Sequence, residues 1–332
     1  MKKLQKKKDD LAGFCRALKA HGRFLLSCHV LPEGDAIGSI LAMESLLRRL
    51  GKKTKVVAED AFPTRLSCLS SKRWNRLQDF KGSLEDFDAL VVADCPTLER
   101  IGRVKELVGP HTVIFNIDHH VSNQRFGRYN YIRPEAAASG EVVFEIFKKM
   151  RVPVTREDAT NLYVALSTDT GSFKYGNMGV RSHLIAAELI KTGIPVEKIN
   201  DQLYSTYSLN KINLYSRILS RVKTDAGGRV AWAVVRCEDL KESGATYEDT
   251  EGFIDFLKFL KEVKIAFFLL ELPQGRGIRV SFRSKGTYDV NRVAAHFKGG
   301  GHRKASGCIL RGELEEVEKT VLAKVRREFE FS

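Results

Sequence analysis

Four apolar runs in this chain stop at a carboxylate or an imidazole, and that repeated ending constrains the fold more than any other feature. Val113-Ile114-Phe115-Asn116-Ile117 runs into Asp118-His119-His120. Arg23-Phe24-Leu25-Leu26-Ser27-Cys28 runs into His29, followed by Pro32-Glu33-Gly34-Asp35-Ala36-Ile37-Gly38-Ser39. Phe87-Asp88-Ala89-Leu90-Val91-Val92-Ala93 runs into Asp94. The fourth run, residues 159–167, has a helical pattern and leads to Asp169-Thr170-Gly171. Short apolar runs bounded by polar residues suit strands buried on both faces, as in parallel sheets. Open α/β sheets bind ligands in the crevice outside the carboxyl ends of their strands. One Asp-His-His alone is as readily a solvated turn; four such endings point to one shared site.

The rest of the chain agrees with that architecture. Residues 10 to about 190 alternate strand and helix, with helices over 11–21, 35–50 and 140–150 and a further strand over 54–58. The alternation predicts a mostly parallel sheet covered on both faces. Between residues 190 and 221 the pattern turns helical and polar. After Gly227-Gly228 strands are expected over 229–235, 263–270 and 277–283 with helices between them. The fold class is therefore α/β. A first domain over 1–190, a helical connector over 191–225 and a smaller α/β domain over 226–332 fit a length of 332 residues.

Composition narrows the class of partner. The chain carries 55 Lys and Arg against 41 Asp and Glu, a net charge of +14, which favours a polyanion such as nucleic acid, nucleotide or polyphosphate. The Lys-rich start reads as a solvated helix end, with a phosphate-contacting arm as the alternative. No apolar run approaches the ~20 residues of a membrane span. Asp9-Asp10 interrupts what would be a signal peptide's apolar core, so a cytoplasmic protein is expected. The six cysteines are scattered without a Cys-x-x-Cys pair, which fits a reducing compartment. Cys28 and Cys95 read as small buried residues. His21, His111, His183 and His296 have no partner motif and read as surface or capping residues. Phe173, Tyr175 and Phe282 are aromatic candidates for stacking on a base, with core packing the better reading of each.

Gathered together, the polar endings offer His29, Glu33, Asp35, Asp94, Asp118, His119, His120 and Asp169. Imidazole and carboxylate donors without thiolate suit Mn²⁺, Co²⁺ or Mg²⁺. The donors are too many for one ion, whereas two ions sharing a carboxylate would use them. Such pairs generate a hydroxide and clamp both oxygens of an in-line displacement at phosphorus. Gly34 and Gly38 would let the chain fold tightly beside the ions. Gly38-Ser39, expected where a helix begins, would turn backbone N–H groups toward an anion.

His29-x-x-Pro32-Glu33-x-Asp35-Ala36-x-Gly38-Ser39, Asp94, Asp118-His119-His120 and Asp169-Thr170-Gly171 resemble the four motifs of the DHH phosphoesterase superfamily. Gly299-Gly300-Gly301-His302-x-x-Ala305-x-Gly307, with Ser281-Phe282-Arg283-Ser284 upstream, resembles the DHH-associated substrate domain. The resemblance covers nearly the whole chain, in order. It implies one divalent ion, most readily Mn²⁺, held by His29, Glu33 and Asp94. A second would be held by Asp35, Asp94, His119 and Asp169, with Asp94 bridging. It implies that Asp118 orients the loop, and that His120 stabilises charge or donates a proton at the scissile phosphate. Arg283, Ser284, Gly300, Gly301 and His302 would bind the substrate's other phosphate or its base, with the active site in the cleft between the domains. Two positions depart from the family pattern. Glu33 stands where Asp is usual, and Lys298 where a fourth glycine is common.

The layout resembles the branch that hydrolyses short RNA and removes the 3′-phosphate of 3′-phosphoadenosine 5′-phosphate. The nearest rival is a cyclic-di-AMP or linear dinucleotide phosphodiesterase. A processive exonuclease or a pyrophosphatase fits less well. From another class, a catalytically weakened RNA-binding protein has Glu33 in its favour and every other retained ligand against it. A homodimer stays open.

Overall fold

In the computed structural model, residues 10–82, 86–205 and 207–331 are described. The lysine-rich start lies outside them. Contacts divide the chain into two units, residues up to 206 and residues from 207.

The first unit is built on β1 (Arg23–Cys28), β2 (Lys53–Ala58), β3 (Trp74–Arg76), β4 (Ala89–Ala93), β5 (Val113–Asp118) and β6 (Tyr129–Ile132). Its helices are α1 (Leu11–Ala20), α2 (Gly34–Arg49), α3 (Ser139–Met150), α4 (Arg156–Asp169), α5 (Val180–Ile190) and α6 (Val196–Tyr204). The six strands lie in the order β3-β2-β1-β4-β5-β6, and every pairing is parallel. Both faces of the sheet are buried, as the continuous apolar runs require. Along β4, Ala89, Val91 and Ala93 join the core beneath the helices, while Leu90 and Val92 face the other side. That other side is covered by Ile101 and Val104 from 3-10 turns over Leu98–Leu107, which bend at Gly102 with φ 65°. The expected elements are present. The short strands β3 and β6, helix α5 and the 3-10 stretch are additions to the expected elements.

Helix ends follow ordinary capping chemistry. Thr155 and Asp158 form a capping box at α4, Asp10 caps α1, and the His21 ring donates to the Ala17 carbonyl at its C-terminus. His111, His183 and His296 are exposed. The packing of α2 and α3 on α4 depends on glycine. A Cβ on Gly38 would stand 2.2 Å from the Asn161 carbonyl oxygen, and one on Gly140 would stand 2.6 Å from the Ala165 Cβ.

The second unit contains α7 (Leu209–Leu219), β7 (Lys223–Asp225), β8 (Val230–Val235), α8 (Cys237–Ser243), α9 (Phe253–Phe259), β9 (Ile265–Glu271), β10 (Ile278–Ser284), α10 (Asn291–His296), β11 (Gly300–His302), β12 (Ala305–Leu310) and α11 (Leu314–Phe329). Its sheet order is β11-β12-β10-β9-β8-β7, antiparallel except for β8 beside β9. Phe282, Phe267 and Val280 lie in a core on one face, while Ala266 and Phe268 pack with Phe253 and Leu257 of α9 on the other. Phe282 is fully buried, so it is a core residue and not a base-stacking one. The helical stretch between residues 191 and 225 holds α6 in the first unit and α7 in the second.

Gly38→Ala is expected to destabilise the first unit by about 1–3 kcal/mol through overpacking against the α4 backbone. A lower urea midpoint with unchanged slope is the expected reading. An unchanged midpoint would mean that α2 and α4 have slack at this seam.

Candidate active site

Three strands of the first sheet end in register. Cys28 of β1 pairs with Ala93 of β4, and Ala93 pairs with Ile117 of β5, so His29, Asp94 and Asp118 reach the sheet's edge side by side. Between β1 and β4 the strand order reverses, which opens the crevice where doubly wound sheets take ligands. Asp94 turns there with φ 56°, in the left-handed region that disfavours side chains bearing a Cβ, and its N–H donates to the Ile117 carbonyl at 2.9 Å. Helix α2 contributes Asp35 from its first turn, α4 ends on Asp169, and Glu33 precedes α2.

The polar partners of each side chain separate those that support from those that face inward. Asp118 is committed to its own loop. Its Oδ1 accepts the N–H groups of His119 at 2.7 Å and His120 at 3.2 Å and lies 2.7 Å from His120 Nδ1. Its Oδ2 accepts from Asn123 Nδ2 at 2.5 Å. The His119 ring donates Nδ1–H to the Ala136 carbonyl at 3.1 Å, and His29 donates Nδ1–H to the Val30 carbonyl at 2.8 Å. Donation from Nδ1 selects the tautomer whose Nε2 carries a lone pair. Asp35 is gripped by the N-terminus of α3, accepting from Ser139 N at 2.7 Å and Gly140 N at 2.9 Å, and from Ser39 Oγ at 3.0 Å. Ser139 Oγ donates to Asp94 Oδ1 at 3.0 Å.

The remaining atoms converge. His29 Nε2 stands 3.5 Å from Asp94 Oδ2, while His119 Nε2 stands 3.7 Å from Asp94 Oδ1, 3.8 Å from Asp35 Oδ2 and 3.4 Å from Asp169 Oδ2. Two donors bonded to one ion at ~2.0–2.2 Å and at tetrahedral or octahedral angles stand about 3.0–3.5 Å apart. The observed spacings are close to that edge length. Donor atoms of His29, Glu33 and Asp94 lie within 4.8 Å of one another, as do those of Asp35, His119 and Asp169, and those of Asp94, Asp118, His119 and His120. Glu33 itself is exposed, so its longer side chain approaches from the solvent side.

The electrostatics favour a cation. Burial, then the charges of Asp94 and Asp169, push the Asp35 carboxyl well above its usual range. Burial, then Glu33 and Asp94, do the same to Asp169. Burial opposes ionisation of Asp94 too, yet the His29 hydrogen bond and the imidazoles of His120 and His119 hold it well below the carboxylate range. Desolvated carboxylates this close need positive charge beyond the three rings. The donor set fits a hard or borderline divalent ion, with oxygen and imidazole nitrogen and no thiolate. Burial raises Cys28 well above the ordinary thiol value and Cys95 to about 12, so both stay thiols. All six cysteines are free.

One expectation about this site is corrected. Gly38 and Ser39 are not at a helix start. Helix α2 begins at Gly34, so they fall in its second turn, beyond the first-turn N–H groups that lack helical partners. Ser39 instead supports Asp35, and Gly38 serves the packing on α4. Ser139, Gly140 and Asn123 were missed as supporting residues. Their only sequence signal is a small-residue helix start and a single Asn after the Asp-His-His motif.

The second unit holds the other expected set. His302 of β11 and Arg283 of β10 each pair with Ala305 of β12, so register places both on one face of the sheet. Arg283 lies 3.9 Å from Asp255 of α9. Gly300 and Gly301 are exposed, and a Cβ on Gly301 would meet the Ala305 carbonyl oxygen at 2.6 Å. Ser284 is buried and donates its hydroxyl to the Tyr288 carbonyl at 2.8 Å, which makes it part of the turn's support. Lys298 has φ 59°, a backbone conformation that favours glycine, so a lysine there carries strain as well as charge.

This arrangement, a doubly wound parallel sheet with carboxylates and imidazoles at its switch point, defines a hydrolase of phosphoric esters. The chain belongs to the DHH family: the family's N-terminal domain is matched over residues 23–166 and the DHHA1 domain over residues 216–330. It is 31% identical to the bifunctional oligoribonuclease and PAP phosphatase NrnA of Thermus thermophilus, over 94% of this chain and 92% of that one. The protein of the same name from Bacillus subtilis is 26% identical, over 89% of this chain and 91% of that one. Among solved structures, an exopolyphosphatase-related protein from Bacteroides fragilis superposes with a TM-score of 0.89 at 27% identity, covering 98% of each chain. No helix among the described residues is long and apolar enough to cross a membrane.

Asp118→Ala should release the His119-His120 loop without removing an inward-facing donor. Loss of such supporting partners lowers metal affinity by about 10- to 100-fold. Titration calorimetry with Mn²⁺ reads this directly, and unchanged affinity would deny Asp118 its orienting role.

Proposed function

We propose that this chain is a metal-dependent phosphoesterase that cleaves short oligoribonucleotides to mononucleotides and removes the 3′-phosphate of 3′-phosphoadenosine 5′-phosphate. The observation that carries the reading is the position of Asp94, whose Oδ2 faces His29 at 3.5 Å and whose Oδ1 faces His119 at 3.7 Å. One carboxylate thus addresses two donor groups, as a bridging ligand must. The names of the Thermus and Bacillus relatives support the two substrates.

In this reading His29, Glu33 and Asp94 hold one divalent ion, and Asp35, Asp94, His119 and Asp169 hold a second, Mn²⁺ suiting the donors best. When bound, such a pair supplies Lewis acidity and lowers the pKa of water at the reacting phosphorus. The chain's own residues do the positioning. Ser139 and the start of α3 fix the faces of Asp94 and Asp35. Asp118 fixes the His120 ring through Nδ1 at 2.7 Å, and His120 stabilises charge or donates a proton at the scissile phosphate. Arg283 and His302, on one face of the second unit's sheet, hold the substrate's other phosphate or its base, and the glycines of β11 let that group approach the backbone. Free, buried thiols suit a reducing cytoplasm, where this reading places the enzyme.

The test is hydrolysis of an RNA length series from the dinucleotide upward, with 3′-phosphoadenosine 5′-phosphate in parallel, each with Mn²⁺ and with chelator. Mn²⁺-dependent turnover that is fastest on two- to five-mers, together with phosphate release from the nucleotide, is the expected result. Turnover of cyclic dinucleotides alone would overturn the substrate assignment. Asp94→Ala should reduce turnover further than any other single donor change, since it removes the ligand common to both groups. Near-wild-type rates would sink the shared-ligand assignment. Glu33→Asp restores the usual family residue and should retain turnover while shifting the preference among Mn²⁺, Mg²⁺ and Co²⁺. An inactive variant would show that this site is built around the longer side chain.

A further inference from the structure

In the second unit, α9 ends in an aromatic residue that packing leaves exposed. Phe259 has 77% of its surface accessible and the adjacent Leu260 has 43%, while Phe256, one turn earlier, meets the Phe259 ring edge-on at 5.7 Å. The surroundings are cationic. Lys258 precedes Phe259, and Lys261 and Lys264 follow in the sequence Lys258-Phe259-Leu260-Lys261-Glu262-Val263-Lys264. Lys285 donates its Nζ to the Leu260 carbonyl at 2.8 Å, and its N–H donates to the Lys264 carbonyl at 2.8 Å. The Lys304 carbonyl accepts from Ser284 N at 3.1 Å, which brings that lysine beside the same strand end. Burial and then Lys264 and Lys258 lower the pKa of Lys285; burial and then Arg303 lower that of Lys304. The acids facing the patch are Asp255, 3.2 Å from Lys258 and 3.9 Å from Arg283, with Glu262 and Asp289 at its margins.

Phe259 and Leu260 thus give an exposed apolar spot beside lysines close enough to feel one another's charge. That combination is complementary to a ligand with a flat apolar face and a string of anions. A base stacks on an aromatic ring irrespective of sequence, and a neighbouring phosphate takes the lysines. Arg283 places the patch in the same unit as the proposed phosphate clamp: it lies on the α9 face of the sheet and shares Asp255 with Lys258.

We propose that Phe259, with Lys258, Lys285 and Lys304, forms a stacking platform for a nucleotide of single-stranded RNA adjoining the one held at Arg283 and His302. The platform rests on the short-RNA reading above and deepens it, because it gives the enzyme a preference among oligonucleotides by length. A strand that ends at the clamp leaves the platform empty, whereas one that continues past it lays a further base on Phe259 and a further phosphate on the lysines.

The test measures binding of labelled dinucleotide and hexanucleotide RNA to the full chain by fluorescence anisotropy, with chelator present so that no turnover intervenes. Wild type should bind the hexamer more tightly than the dinucleotide. Phe259→Leu keeps apolar bulk at an exposed position but removes the ring, and should shrink the hexamer-to-dinucleotide affinity ratio by about tenfold, the scale of one stacked base. Phe259→Trp should restore it. Lys285→Gln and Lys304→Gln should each make the slope of log affinity against log salt shallower by about 0.7, the value for one single-strand phosphate contact. A Phe259→Leu ratio equal to wild type, or no length preference in wild type, overturns the platform. Hydrolysis is scored separately: an inactive wild type whose hexamer binding still depends on Phe259 would defeat the enzymatic reading and leave the platform standing. An active enzyme indifferent to Phe259 would do the reverse.

Discussion

The Asp94 carboxylate is the constraint on which the rest of the site depends. It is fully desolvated, its backbone holds an unfavourable left-handed turn, and its two oxygens face different imidazoles. Each condition needs support from elsewhere in the first unit. Parallel pairing of β4 with β1 and β5 fixes where the strand ends, the Ile117 carbonyl holds the turn, and Ser139 fixes one oxygen. A buried carboxylate without such partners would take up a proton instead of staying ionised. The sheet, the start of α3 and the imidazoles together keep it charged.

Around that centre the division of labour is local. Residues of the Asp-His-His loop do different things although they are adjacent: Asp118 turns back to its own backbone, His119 faces the carboxylates, and His120 is held side-on by Asp118. Likewise His29 and Glu33 come from one loop, but His29 is buried and Glu33 is exposed. The longer Glu side chain is compatible with this geometry because it reaches inward from solvent and displaces nothing from the core.

Much of this was legible in the sequence, for physical reasons that can be named. The strands showed because a parallel sheet buried on both faces demands unbroken apolar runs, and the inward-facing donors showed because each interrupts such a run at its end. Ser139 and Gly140 act through backbone N–H groups and one hydroxyl, and Asn123 through a single amide, and those leave no pattern along the sequence. Gly38 and Ser39 lie in the second turn of a helix that starts at Gly34, and glycine's role in close helix packing looks the same in sequence as a role in anion binding. Phe259 escaped notice because an aromatic at the end of a short amphipathic helix is ordinarily core; only its accessibility sets it apart from Phe253 and Phe256.

The close approach of α2 to α4 has a consequence for how this protein can change over time. Gly34, Asp35, Gly38 and Ser39 lie within six consecutive residues, two of them making the helix seam and two holding or supplying charge. Stability and chemistry are therefore encoded in one short stretch and cannot drift independently. A substitution that loosens the seam moves Asp35 with it, so sequence divergence among working relatives should concentrate outside this turn and a half of helix.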